Sequence, residues 1–501
     1  MNVLARRKAP VFWILIGLTL FLFFFRLGDR SFRNPDEGRY AEIAREMVLS
    51  GDWVEPRLYG IDYLRKPPLF YWLVGGFFKF FGFYEWAARA VPALFGIFGI
   101  LATYFFTRRF FGATSAIFSG FLLVSNLWYL SVGRYLLLDM VFSFFIVGTL
   151  YLFFVGLSEE SGSKKSSWLF LSAYASAALA FLTKGLAGVV IPATAVFFYL
   201  VFTGEFWSRV SKIRLLSGIA CFAVITLPWL ILVSLREKEF LSFFFLHEHF
   251  KRFLSKDFEH QQSWYFYLWV LPALFVPWIL FPAPLKKSFE FLKKGSEDHP
   301  RFFLMVCALT VVLFYSLSRT KLPTYILPAI VFISILIADG WARWESPRAR
   351  ALFGGIVAFF CAASVVVTFV MERMNQNYTT RPFADALKLR SKGPQERIFI
   401  YDHPGAFYDF EFYLDRPVKL VGLEGEFELS RGDDEAKNAS VTHEEFKQIL
   451  KGPDGAYCLM RKSDYQGWDP EERARVHVLK EDARKVLIAN SAAFSREGGP
   501  L

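Results

Sequence analysis

The feature that most constrains this chain is a recurrence of apolar blocks about twenty residues long, opening with "VFWILIGLTLFLFFF" at 11–25. Inside hydrocarbon every backbone N–H and C=O must be satisfied within the segment, so such blocks cross a membrane as helices. Blocks near 11–26, 88–107, 112–131, 138–157, 168–183, 186–203, 214–234, 265–284, 301–317, 324–340 and 351–371 fit that description. The stretch "LFYWLVGGFFKFFGFYEW" (69–86) is apolar too, but its glycines and Lys79 suit a surface-lying or re-entrant helix as well as a span. The reading is an α-helical polytopic membrane protein with about 11–13 transmembrane helices. Composition agrees: 54% of the 501 residues are hydrophobic, 60 of them Phe, above the roughly 45–50% of soluble domains.

A net charge of +11 would point to nucleic acid in a soluble protein. Here the positive residues cluster between apolar blocks, so membrane topology accounts for them and no nucleic-acid partner is expected. Arg6/Arg7/Lys8, Arg108/Arg109, Lys164/Lys165, Arg209/Lys212/Arg214, Lys286/Lys287/Lys293/Lys294 and Arg343/Arg348/Arg350 recur at every second turn. The positive-inside rule places them, with the N-terminus, in the cytoplasm of a multi-pass membrane protein. The opposite, outer side receives the loops 27–87 and 235–264, the short loops at 132–139, 183–185 and 318–323, and everything after 371. Residues 1–371 form the transmembrane domain with these outer-face loops. Residues 372–501 turn polar, with short apolar runs at 397–402, 456–460 and 485–490 read as strands and 382–390 and 443–451 as helices. That alternation predicts a small α/β domain. The four cysteines show neither a disulfide framework nor zinc spacing.

The polar residues of the outer loops gather in a few places. "NPDEGRYAEIAREM" (34–47) has a turn residue, a proline and then acids, which is a sound helix start because carboxylates suit the positive end of the helix dipole. On such a helix Asp36, Arg39 and Tyr40 share a face. "YLRKPPLFYW" (63–72) leaves Lys66 at headgroup level, where a snorkelling anchor is the ordinary alternative. "GRYLLLDM" (133–140) puts Asp139 at the outer end of a span, a costly place for an acid and so a functional candidate. "FLHEHFKRFLSKDFEHQQSWYFY" (245–267) supplies His249 and Arg252, and "SRTKLPTYILP" (318–328) supplies Lys321 and Tyr325. Carboxylates beside Arg, Lys and Tyr at a lipid–water boundary suit an anionic, lipid-linked substrate. Arg and Lys hold phosphate oxygens, and a carboxylate serves as general base or stabilises an oxocarbenium-like centre. A nucleotide-sugar donor fits less well, being cytoplasmic, and no ATP-binding GxxxxGK[ST] pattern occurs.

Taken in order, "NPDEGRYAEIAREM", "RKPPLFYWL", "RYLLLDM", "EHFKRF", "WYFYL" with a following "PW", and "KLPTYILP" resemble the polyprenyl-phosphate-sugar glycosyltransferases of the GT-C fold. The likeness is to the lipid A 4-amino-4-deoxy-L-arabinose transferases, with protein O-mannosyltransferases more distant, and it covers roughly residues 10–340. It implies an enzyme that takes a sugar from undecaprenyl phosphate and passes it to a periplasmic acceptor, an aminoarabinose-type sugar to a lipid A phosphate. The alternatives are another sugar, such as a hexose, hexosamine or mannose, passed to a different lipid, glycan or protein hydroxyl, and, outside enzymes, a transporter of lipid-linked sugars. By the same resemblance Asp36 and Asp139 are the catalytic acids, and Arg39, Tyr40, Lys66, Arg252 and Tyr325 lie near donor or acceptor phosphates, with Lys321 added as a phosphate-binding candidate. His249 matches a histidine linked to a bound divalent metal, and Glu37 is a candidate second ligand. The family's glutamate before the "KP" pair is Arg65 here, a departure that bears on the metal and on the sugar or acceptor.

Overall fold

The apolar runs become helices where nothing interrupts the backbone donors. In the computed structural model, which describes residues 3–251, 260–391, 396–423, 427 and 434–495, seven helices are long and apolar enough to cross a membrane. They are Glu85–Ser125, Leu138–Ser158, Lys164–Lys184, Leu215–Arg236, His299–Leu317, Pro323–Ala342 and Pro347–Asn375, joined by the shorter apolar helices Pro10–Phe24, Leu69–Phe81 and Ala187–Phe202. Glu85–Ser125 carries the expected span at 88–107 and the first part of the one at 112–131, whose remainder falls in the separate helix Leu127–Arg134. The long helix breaks at Gly112, whose φ of 85° lies in the left-handed region that a glycine enters without steric cost. Leu69–Phe81 is a thirteen-residue helix, about 20 Å long at 1.5 Å per residue, so this stretch is too short to cross by itself.

One expectation is corrected. The span proposed at 265–284 is not one helix but Phe266–Leu274, a 3-10 turn Trp278–Leu280 and Pro282–Phe289. Pro272, Pro277 and Pro282 each remove a backbone donor, and a helix interior does not tolerate three such losses in so short a stretch.

The chain divides into two compact units, Met1–Leu27 with Arg65–Phe70 and Arg89–Thr368, and Gly28–Leu64 with Tyr71–Ala88 and Phe369–Leu501. Within the first, Leu138–Ser158 packs on Lys164–Lys184, which packs in turn on Ala187–Phe202 and Leu215–Arg236. Leu216, Val224 and Leu235 stand exposed on Leu215–Arg236, as lipid-facing residues do in a helix of this hydropathy.

The second unit thus includes most of the outer loop 27–87 along with the C-terminal residues. Its loop part holds the helix Asp36–Ser50 and a two-strand ladder, β1 (Arg57–Leu58) and β2 (Ile61–Asp62). Its C-terminal part holds a six-stranded sheet of β3 (Arg397–Tyr401), β4 (Lys419–Val421), β5 (Ser440–Val441), β6 (Ala456–Arg461), β7 (Val476–Glu481) and β8 (Lys485–Asn490), in the order β5-β4-β3-β6-β8-β7. The β5-β4-β3-β6 portion is parallel, and β8 pairs antiparallel with both β6 and β7. Phe399, Cys458, Met460, Val486 and Ile488 form the core of this sheet with Phe446 of the helix His443–Lys451. The three strands and two helices read from the sequence are all present. The two- and three-residue strands β4 and β5, and β7, were not read.

Candidate functional site

The helix Asp36–Ser50 is held at its start by residues the sequence did not single out. The Asn34 carboxamide donates to Ala406 O at 3.0 Å and to the Asp409 carboxylate, and its Oδ1 accepts from Asp409 N at 3.1 Å. Asp409 also accepts from Thr379 Oγ1 (2.7 Å), Thr380 N (2.9 Å) and Thr380 Oγ1 (2.7 Å). It is fully buried, and burial raises its pKa against the pull of these donors. Gly38 admits this contact, because a Cβ there would lie 2.3 Å from Asn34 Oδ1 and 2.7 Å from Asp409 N.

On that anchored helix Asp36 and Arg39 form an ion pair at 2.5 Å, the shared face that the i, i+3 spacing predicts. The Asp36 side chain is 48% exposed while Arg39 is 12% exposed, so the acid is open to a ligand and the guanidinium is held from behind. The Arg39 guanidinium lies 5.2 to 5.9 Å from the ring centroids of Tyr40, Tyr63 and Tyr408, within cation–π range. Tyr40 is buried, 6.1 Å from the Tyr71 ring. It supports Arg39 from below. Glu37 is corrected: its carboxylate is taken by the Arg30 guanidinium (3.0 Å) and the Arg33 N–H (3.0 Å), which makes it a helix-start brace, not a metal ligand.

In the first unit Asp139 occupies the first turn of Leu138–Ser158 and meets Lys184 at 2.6 Å. Lys184 ends Lys164–Lys184 and its ammonium lies 4.1 Å from the Tyr325 ring centroid. Each charge complements the dipole of the helix end that carries it. The sequence placed Lys184 in an outer loop without naming it as a site residue, and its partner Asp139 lies 45 positions away.

Lys66 and Arg65 both reach Glu248, at 3.3 and 3.6 Å, and Glu248 is fully buried. This is the place where the family's metal is expected. Two cations around one carboxylate do not fit a divalent ion, since they already neutralise its charge and would repel a third. The His249 side chain and Arg252 lie outside the described residues. Lys321 is corrected as a phosphate ligand: it is 3% exposed and donates to Gln262 O (3.0 Å) and Ser318 O, so it clamps two loop segments.

Comparison with known proteins shows what this chain is similar to. Residues 65–232 match the family described as dolichyl-phosphate-mannose-protein mannosyltransferase. The solved structure of ArnT from Cupriavidus metallidurans bound to undecaprenyl phosphate superposes over 97% of this chain and 99% of that one, with a TM-score of 0.83 and 25% identity. The chain has the GT-C fold. An undecaprenyl phosphate-α-4-amino-4-deoxy-L-arabinose arabinosyl transferase of Pseudomonas fluorescens is 31% identical over 350 residues, 68% of this chain and 62% of the relative. The chain therefore spans about three-fifths of that curated relative's length. The archaeal oligosaccharyltransferase AglB from Archaeoglobus fulgidus shares the GT-C fold alone, with a TM-score of 0.57 at 13% identity over 91% of this chain and 69% of that one.

Proposed function

We propose that this GT-C protein is a glycosyltransferase that moves a sugar from undecaprenyl phosphate to an acceptor on the periplasmic side of the inner membrane, an aminoarabinose-type sugar to a lipid A phosphate. The observation that carries this is the end-to-end likeness to ArnT bound to undecaprenyl phosphate, on a chain that presents Asp36–Arg39 and Asp139–Lys184 as ordered acid–cation pairs. The N-terminus and basic loops are cytoplasmic and the second unit is periplasmic.

In the reaction an acceptor oxygen bonds to the sugar's anomeric carbon as the bond from that carbon to the carrier's phosphate oxygen breaks. The electron pair leaves on undecaprenyl phosphate, a good leaving group that needs no general acid. Arg39 and Lys184 offset phosphate charge before and after transfer. Against a lipid phosphate, whose attacking oxygen is already anionic, Asp36 stabilises positive charge growing at the anomeric carbon. Against a hydroxyl it takes the proton. No step here runs through a metal, since the cation-rich surroundings of Glu248 do not favour one. Arg65 beside Glu248 supports a second reading, the same transfer with a different sugar or acceptor.

The test is mass spectrometry of lipid A from a host lacking its own transferase, expressing wild type or Asp36→Ala. An added aminopentose with wild type, and none with the variant, is the expected result. No addition in either, with the protein inserted, turns the search to other acceptors.

A further inference from the structure

The helix Asp36–Ser50 carries a second set of acids. Glu42 and Glu46, one turn apart, face Glu411 of the short helix Asp409–Leu414, and one carboxylate oxygen from each lies within 4.8 Å of the other two. Glu42 is fully buried. Its Oε1 accepts from Arg45 at 2.8 Å, and its Oε2 has no hydrogen-bond partner among the described residues. A carboxylate oxygen left bare in a protein interior is costly and calls for a ligand. Arg45 does not supply it: its second nitrogen is spent on Asp415 at 2.6 Å. Glu46 is oriented by the N–H groups of Tyr59 (2.5 Å) and Gly60 (3.0 Å), and Glu411 accepts from Val418 N at 3.4 Å. Three carboxylates thus converge on one point, with the Arg45 guanidinium paired to Glu42 beside them.

We propose that Glu42, Glu46 and Glu411 bind a hard divalent cation of the Ca²⁺ type, which fastens the helix Asp36–Ser50 to the helix Asp409–Leu414. An all-oxygen, all-carboxylate donor set selects Ca²⁺, Mg²⁺ or Mn²⁺ over the softer metals. Ca²⁺–oxygen distances of about 2.3–2.6 Å put ligands on opposite sides of the ion up to about 5 Å apart, which the observed spread allows. Mg²⁺, at about 2.0–2.1 Å, allows at most about 4.2 Å between opposite ligands and demands a near-ideal octahedron. The ion would hold in place the helix whose first turn presents Asp36 and Arg39. That consequence rests on the transferase reading; the binding does not.

The experiment uses the full chain in detergent, stripped with chelator at pH 8 and titrated with CaCl₂ or MgCl₂. Bound calcium is counted by elemental analysis and unfolding followed by intrinsic fluorescence. One calcium per chain is expected, with a rise in Tm of about 5 °C at hundredfold excess over Kd, and a smaller response to magnesium. Glu42→Gln and Glu46→Gln lose the bound calcium and the Tm response, while Glu471→Gln, at an exposed acid, keeps both; if Glu42→Gln does not fold, Glu411→Gln takes its place. A wild type that holds no stoichiometric calcium and whose Tm ignores both ions overturns the site, as does undiminished binding by the glutamine variants. Sugar transfer without calcium binding removes the site and leaves the transferase reading; calcium binding without transfer does the reverse.

Discussion

In the first unit Asp139 meets Lys184 at 2.6 Å, and Asp339 is paired with both Arg301 and Arg343 at 2.9 Å. In the second, Glu42, Glu46 and Glu411 converge, and among the described residues the one cation paired with any of them is Arg45, on Glu42. The contrast follows from the solvent. Within apolar helices neither water nor a dissolved ion is at hand, so each acid needs a cation from the chain itself. In the polar unit a proton or an ion from solution can do that work. Burial duly raises Glu42 to about 8 and Glu46 to about 7, and holds Glu411 well above its ordinary value.

The sharpest break in this comparison is expected at Asp409, a fully buried second-unit acid that chain donors satisfy. Asp409→Ala leaves Thr379, Thr380 and Asn34 without their acceptor in a buried place, for a loss of about 4 kcal/mol in denaturant unfolding, with Asp409→Asn intermediate. In the first unit, Lys184→Ala strands Asp139 and costs about 3 kcal/mol. The double variant Asp139→Leu/Lys184→Met recovers much of that stability in thermal unfolding if the pair matters as a pair. Gly38→Ala forces a Cβ against Asn34 and Asp409 and lowers stability by about 2 kcal/mol, read as a fall in Tm.

The smallest effect concerns pH. The carboxyls of Glu42 and Glu46 have folded-state values above the unfolded value near 4.5, so the folded state binds protons more tightly. Their contribution is complete below about pH 4.5 and fades as pH rises through 7 to 8. In chelator, Tm should therefore fall from pH 5 to pH 8.5. The groups facing the two carboxyls are Arg45 on the same helix, Glu411 and Asp415 on the other, and Arg57 of β1. Glu42→Gln should flatten the slope.

Much of the fold was legible because a membrane leaves few options. Apolar runs of about twenty residues become helices, and the departures are the proline-rich 265–284 and the run at 112–131, which breaks at Asn126. The Asp36–Arg39 pair was legible too, because i, i+3 spacing on a helix is a local geometry. Lys184, Asn34 and Asp409 were not, since each acts on a residue 45 or more positions away. Lys321 and Glu37 looked like ligands in the sequence and are braces in the structure. Long polar side chains reach whatever the fold brings near them, and a string of residues does not say what that is.

The sequence by itself determined the spans, the GT-C resemblance and the acid–arginine face of the first outer helix, because each depends on neighbours within a few turns. Only the tertiary structure decided which charges are neutralised and by what. It assigned Lys184 to Asp139 and two cations to Glu248, and it left three glutamates with a bare oxygen between two helices. Electrostatic energy depends on distance through space and on burial, and both are set when segments far apart in the chain pack together.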